Sequence, residues 1–147
     1  MKELAARLLG IVDGAEPQLM AVSASESLLP VLRGGWSRRQ VVGHLIDSAS
    51  NNHQRFVRAM LADALVFPGY DQAGNVRVQA VQDADWLLLV SLWASYNRYL
   101  AHVIGQLPEN KLDMSCTIGS GEPVTLRFVA EDYVGHLLHH LGQVGVV

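Results

Sequence analysis

Two histidines near the C-terminus, His136 and His140, stand four residues apart in the block EDYVGHLLHHLGQV. On an α-helix that spacing stacks both imidazoles on one face, one turn apart, where their nitrogens converge on a point suited to a divalent metal. The neighbouring residues identify the face. Leu126, Val129, Ala130, Tyr133, Leu137, Leu141 and Val144 recur as a single apolar stripe. At roughly 100° per residue, His140 falls near the centre of that stripe and His136 about 40° from it, so both face inward. A buried imidazole needs a partner for each nitrogen, and a metal ion is one such partner. The residue after His136 is Leu137, where a metalloprotease helix carries its general-base glutamate, so the helix is not that of a zincin. Two ligands rarely suffice, and a third should come from a facing helix.

The block WSRRQVVGHLIDSASNNHQRFVRAML supplies two candidates, His44 and His53. Its apolar arc is Val41, Val42, Leu45, Ala49, Phe56 and Met60. His44 lies at the edge of this arc beside Asp47, Asn51 and Arg55, a polar edge able to line a cleft. His53 lies on the far side, near Val42 and Met60, and helical-wheel geometry leaves the two as rivals. Asp47, Ser48 and Asn51 follow His44 by one to two turns, where a carboxylate either orients an imidazole, takes a proton, or belongs to a solvated helix face. Arg55 either binds an anionic substrate group or pairs with an acid. His139, about 120° off the stripe centre, is a solvent-facing or supporting group, and His102 a surface residue. Cys116 reads as a small core residue rather than a nucleophile. Trp86 and Trp93 read as core filling, and Tyr70 as a loop residue able to close over a site.

Positioning these groups requires helices, and the sequence marks their ends. Ser37 with Gln40 three residues on forms a capping box, with Trp36 and Val41 as a hydrophobic staple, opening a helix that runs to about Leu61. Residues 2 to 32 are helical in pattern, with Gly10, Gly14 and Pro17 predicting a break or kink near the middle. Residues 62 to 82 carry turn signals and no sustained period, and read as a long crossing loop. A third helix spans about Asp83 to Gln106, before Pro108. Residues 107 to 124 read as irregular, with a turn at Gly119 and Gly121 and a short strand near Ser115 to Ile118. The last helix runs from about Thr125 to the C-terminus. Four principal helices in 147 residues predict an all-α four-helix bundle forming one domain over 1–147.

Composition narrows the function classes. Eleven Lys and Arg against fourteen Asp and Glu give a net charge of −3, with no basic cluster of the kind that neutralises a row of phosphates, so no nucleic-acid partner is expected. Apolar residues are 50% of the chain but are interrupted by charges, so no membrane span is expected. The N-terminus lacks a secretory pattern, and the cytoplasm is the expected compartment. One cysteine excludes an intrachain disulfide and a Cys-rich zinc cluster, which leaves imidazoles and carboxylates as ligands.

The blocks WSRRQVVGHLIDSASNNHQRF and EDYVGHLLHHLGQV resemble the DinB-like (DinB/YfiT-like) superfamily of metalloenzymes, and the match extends from Trp36 to Gln143. The resemblance implies an up-down-down-up bundle and an open three-histidine site made by His44, His136 and His140. It implies nickel, zinc or a similar ion, a small-molecule substrate, and a homodimer. Its members include enzymes that transfer small groups onto or off low-molecular-weight thiols, so such transfer is the expected activity, with metal-dependent hydrolysis or a non-catalytic ligand- or protein-binding bundle as alternatives. Asp47 and Asn51 are the residues expected to support the metal ligands. The sequence stops four residues after Gln143, so the cleft is expected to be open or completed by a second subunit.

Overall fold

The computed structural model describes residues 1–32 and 35–146. Helix α1 (Lys2–Ala21) runs unbroken through Gly10, Gly14 and Pro17, where the sequence predicted a break or kink near the middle. Its buried residues Ala5, Leu8, Val12, Ala15 and Leu19 follow a 3–4 spacing that docks one whole face on the core. Pro17 removes only one backbone bond, and the Gln18 side-chain amide donates to the Gly14 carbonyl at 3.0 Å beside it. The chain turns instead at Val22–Ser23, where Ser23 and Glu26 form a capping box for the single-turn helix α2 (Ala24–Ser27).

Helix α3 (Arg38–Leu61) begins at the predicted Ser37–Gln40 capping box. The segment after it is not the featureless loop predicted over 62 to 82. It holds strand β1 (Leu65–Phe67), helix α4 (Gln72–Val78), capped by the Asp71 side chain, and a 3₁₀ turn at Val81–Asp83. Elements this short show no readable period, and β1 depends on a strand fifty residues later in the chain. Helix α5 (Trp86–Gly105) is capped by Asp85. Strand β2 (Ser115–Ile118), at its predicted place, pairs in parallel with β1 (Leu65 opposite Cys116) and antiparallel with β3 (Val124–Thr125). Helix α6 (Leu126–Val144) starts at the Thr125 cap and ends at Gly145 in the left-handed conformation; Val147 lies outside the described residues.

The four long helices form an up-down-down-up bundle. The Trp86 indole N–H donates to the Leu19 carbonyl at 3.1 Å, and Gly105 lies beside Ala5, so α1 and α5 are antiparallel. Arg39 reaches the Gln82 and Ala84 carbonyls, both at 2.8 Å, while His53 meets Tyr96 further on, so α3 and α5 run parallel. Trp86, Trp93, Phe56 and Tyr133 fill the centre. The Tyr133 hydroxyl donates to Asn97 at 2.5 Å, which satisfies both groups without water. No helix among the described residues is long and apolar enough to cross a membrane.

One contact sets how closely the 62–85 segment approaches α3. A Cβ on Gly43 would lie 2.5 Å from Val81 Cγ1, so glycine here admits the 3₁₀ turn against the helix. We predict that Gly43→Ala lowers thermal stability, because about 1–3 kcal/mol of overpacking outweighs the roughly 1 kcal/mol helix-propensity gain. Adding Val81→Ala should restore part of the loss, measured as the coupling energy of a double-mutant cycle from chemical denaturation.

Candidate metal centre

His44 sits in the second turn of α3, and His136 and His140 occupy successive turns in the second half of α6. Because these two helices are antiparallel neighbours, the start of one meets the end of the other and the three imidazoles face each other. Their ligand nitrogens all lie within 4.8 Å of one another. The rings are mutually edge-on, with centroids 5.0 Å (His44–His136), 4.8 Å (His44–His140) and 4.5 Å (His136–His140) apart. The helical wheel left His44 and His53 as rivals, and the tertiary structure separates them. His53 Nδ1 is 3.0 Å from the Tyr96 hydroxyl, on the α5 side of α3.

His44 is completely buried, and Trp36 rests against its ring at 5.1 Å. Its Nε2 is 3.1 Å from His136 Nε2, while its Nδ1 is buried with no hydrogen-bond partner. Whichever ring donates in an N–H···N bond between them, His44 Nδ1 is left unpaired, as a bare acceptor if His44 Nε2 carries the proton and as an N–H if His136 Nε2 does. With both rings protonated on Nδ1, two lone pairs face each other. The separation is close to the roughly 3.3 Å between two nitrogens on a tetrahedral zinc with Zn–N bonds of about 2.0–2.1 Å. A divalent ion would give each inward-facing lone pair a partner, and the donor set suits one.

The surroundings orient two of the three rings. His140 Nδ1 is 2.8 Å from Gln143 Oε1, which holds the proton on Nδ1 and turns a bare Nε2 inward. The other end of the Gln143 amide is 3.1 Å from His139 Nε2, giving the exposed His139 a supporting position. Ser48 Oγ lies 3.4 Å from His136 Nδ1. Of the two residues expected to support the ligands, Asp47 is buried and both its carboxylate oxygens accept from Gln79, at 2.9 and 3.1 Å. Asn51 donates to the Asp47 main-chain carbonyl at 3.0 Å. Neither hydrogen-bonds an imidazole of the cluster. Gln79 was hidden in the predicted loop, and Gln143 carried the only legible signal, three residues after His140.

Burial keeps the cluster uncharged. Desolvation, reinforced by repulsion from the other two imidazoles, lowers the His44 pKa from its ordinary 6.5 to about 4. Desolvation and His140 likewise lower His136 to about 4, against the opposing pull of Asp132. His140 is lowered by desolvation, with the Gln143 bond opposing. A cavity of about 110 Å³ opens on the His136 side and is lined by Ser48, Asn52, Arg55, Tyr70, Asp132 and His136. Tyr70, expected to close over a site, lies in its wall. A second cavity of about 350 Å³, bordered by Val31, Leu32, Trp36, Val41 and His140, opens on the other side. Cys116 is buried, and desolvation raises its pKa, which suits a core residue and not a nucleophile. Trp86 and Trp93 are core, and His102 is exposed and stacked with Tyr99.

The sequence profile of the DinB superfamily matches residues 3–144. The chain belongs to the DinB superfamily. Among curated relatives, this DinB chain is 27% identical over 115 residues to the "Putative metal-dependent hydrolase" of Bacillus pumilus (strain SAFR-032), covering 78% of this chain and 66% of that protein. It is also 27% identical over 116 residues to a like-named protein of Bacillus licheniformis, with the same coverage. The chain thus spans just under two thirds of the length of these relatives. In fold it resembles YfiT from Bacillus subtilis, described as a probable metal-dependent hydrolase with an unusual four-helix bundle topology (TM-score 0.80, 22% identity, 97% of this chain and 85% of that one). It also resembles a mycothiol-dependent maleylpyruvate isomerase (TM-score 0.76, 16% identity, 99% of this chain and 60% of that one). At these identities the two structures establish the DinB bundle and nothing finer.

Because the folded-state values of His44 and His136 lie below the ordinary 6.5, the native state binds fewer protons than the unfolded chain between pH 6.5 and about 4. Their contribution to stability is fully present above pH 6.5 and is lost as the pH falls through that window. We predict that chelator-treated, metal-free protein loses denaturation free energy over this range. A His44→Gln/His136→Gln variant should show a flatter profile over the same range, and equal slopes would contradict the assignment of neutral imidazoles.

Proposed function

We propose that this DinB protein is a metal-dependent enzyme in which His44, His136 and His140 hold one nickel or zinc ion, and that it transfers a small group to or from a low-molecular-weight thiol. The observation that carries the reading is the convergence of three imidazoles whose ligand nitrogens lie within 4.8 Å of one another, with His136 in the wall of one cavity and His140 in the wall of another. Three protein ligands leave coordination positions for a small molecule, as catalytic sites do and structural ones do not. Such an ion supplies Lewis-acid chemistry, lowering the pKa of a thiol or water brought to it.

The chain's own residues then divide the work. Gln143 holds the His140 proton on Nδ1, Ser48 steadies the His136 ring, and Trp36 shields His44. Asp47, one turn beyond His44, ties α3 to α4 through Gln79, and Asn51 bonds the Asp47 main-chain carbonyl, so any influence on the cluster passes through the helix rather than through an imidazole contact. Asp132, exposed at the cavity mouth, is placed to exchange a proton with an entering molecule. A thiol, with a pKa near 8.5, needs far less activation than water at 15.7. Among the described residues no carboxylate hydrogen-bonds the triad, which favours the more acidic nucleophile. The mycothiol dependence of one fold neighbour points the same way. Hydrolysis is the second reading, favoured by the names of the two Bacillus relatives and by the place of Asp132 in the cavity.

Elemental analysis of protein purified without a polyhistidine tag should find about one metal per chain, lost in His44→Ala and in His140→Ala while helicity by circular dichroism persists. No metal after incubation with zinc or nickel and removal of excess would overturn the proposal. With loaded protein, thiol transfer predicts monochlorobimane consumption that depends on added mycothiol, bacillithiol or glutathione. Hydrolysis predicts p-nitrophenyl acetate turnover without any thiol.

A further inference from the structure

Helix α3 carries two arginines on its inward side, and they are treated differently. Arg39 uses all five of its N–H donors. Nε and Nη2 reach Ser27 Oγ at 3.1 and 2.9 Å, Nη2 also reaches the Ala24 carbonyl at 3.1 Å, and Nη1 reaches the Gln82 and Ala84 carbonyls. That arginine is structural. Arg55 donates a single hydrogen bond, from Nη1 to Asn52 Oδ1 at 3.2 Å, and makes no ion pair among the described residues. Its Nε is buried with no partner. The guanidinium lies 5.5 Å from the Phe67 ring centroid, which supports its face and leaves the in-plane donors other than the one bonded to Asn52 without a protein partner.

A half-buried cation with an unpaired donor is costly unless something else completes it. Position indicates what. Arg55 lines the cavity that His136 lines, and also an adjoining one of about 230 Å³ bordered by Ile118, Val124, Phe128 and Val129. Ser48, beside His136, and Asn52, which accepts from the guanidinium, are one helical turn apart on α3, roughly 6 Å along its axis, so the same wall of the cavity carries both the cluster's neighbour and the cation's. Asp132 and Glu122 border the same space without pairing with it, and leave the region mixed in charge rather than uniformly anionic. Burial also lowers the Arg55 pKa, with Tyr70 and Asp132 opposing, as expected of a cation short of partners.

We infer that Arg55, with Asn52 and Tyr70, forms a carboxylate-binding subsite, so that the substrate is a small molecule whose reacting end meets the histidine cluster while a carboxylate about one helical turn away is held by the guanidinium. This rests on the metal-centre reading above. Planar guanidinium and carboxylate make paired, charge-assisted hydrogen bonds that fix direction as well as distance, which would orient the reacting end toward His136.

The test uses cobalt-loaded protein titrated with β-mercaptopropionate and, separately, with its methyl ester, followed by the sulfur-to-cobalt absorption band. Wild type should bind the carboxylate about tenfold or more tightly than the ester. In Arg55→Gln the preference should fall to near one with cobalt content unchanged, and in Arg55→Lys it should partly return. Equal affinities in wild type, or a preference that survives Arg55→Gln, would overturn the subsite while leaving the metal centre standing. If no cobalt binds, the metal reading fails, and the subsite is decided on metal-free protein by nuclear magnetic resonance. A propionate-induced shift of the Arg55 Nε–H signal that is saturable and accompanied by Tyr70 supports it, and no shift overturns it.

Discussion

The structure depends on a polar stripe that α3 buries along its length. Arg39, His44, Asp47, Ser48 and Asn52 are each at most 9% exposed, on a helix that also supplies Val41, Val42, Leu45, Ala49 and Phe56 to the core. A buried polar group without a partner costs about 1–3 kcal/mol, more if charged, so these residues dictate what packs around them. Arg39 gathers α2 and the entry to α5 onto α3 through carbonyls and Ser27. Asp47 draws in Gln79 at the end of α4, and Asn52 donates to the Ser48 carbonyl one turn back at 2.9 Å. Much of the irregular chain between α3 and α5 is ordered by these demands.

His44 is the member of that stripe whose demand the protein does not meet. Its neighbours on α6 are two further imidazoles; a proton shared with His136 would still leave His44 Nδ1 unpaired, and desolvation lowers the pKa of all three rings. Three such groups on two rigid, packed helices are pre-organised, since neither backbone needs to move to bring the nitrogens together. Antiparallel packing puts the cluster at the α1-terminal and α5-initial end of the bundle. The three-stranded sheet braces the opposite end, where β1 follows α3 and β3 leads into α6.

The cavity beside the cluster is chemically graded. At one end is the His136 imidazole; along the walls are Ser48, Asn52 and Tyr70; farther out are Arg55 and the exposed Asp132. These side chains come from α3, α6 and the loop before α4, so the polarity of the wall changes from one end of the cavity to the other. The contrast between Arg39 and Arg55 shows the same helix using one residue type first as a strut and then as an open donor.

Much of this was legible in the chain itself. The Ser37–Gln40 box and the start of the last helix near Thr125, ahead of a clean apolar stripe, are local signals that local interactions realise, while the strand at Ser115–Ile118 was legible in place but depends on β1 for its pairing. The i, i+4 spacing of His136 and His140 is a property of any helix, so the chain alone determined that they share a face. It did not determine the third partner, because a helical wheel gives angles on one helix and not which helix lies opposite; only the α3–α6 packing put His44 there and His53 against Tyr96. The fate of α1 was likewise tertiary, since burial of five residues on one face outweighs the breaking tendencies of two glycines and a proline. The same holds for the crossing segment: β1 exists because β2 lies beside it, and α4 is held in place because the buried Asp47 carboxylate needs a donor. What the sequence determined was every feature set by neighbours within a turn or two, and what the tertiary structure decided was every feature whose partner is far along the chain, because only packing brings those atoms into range.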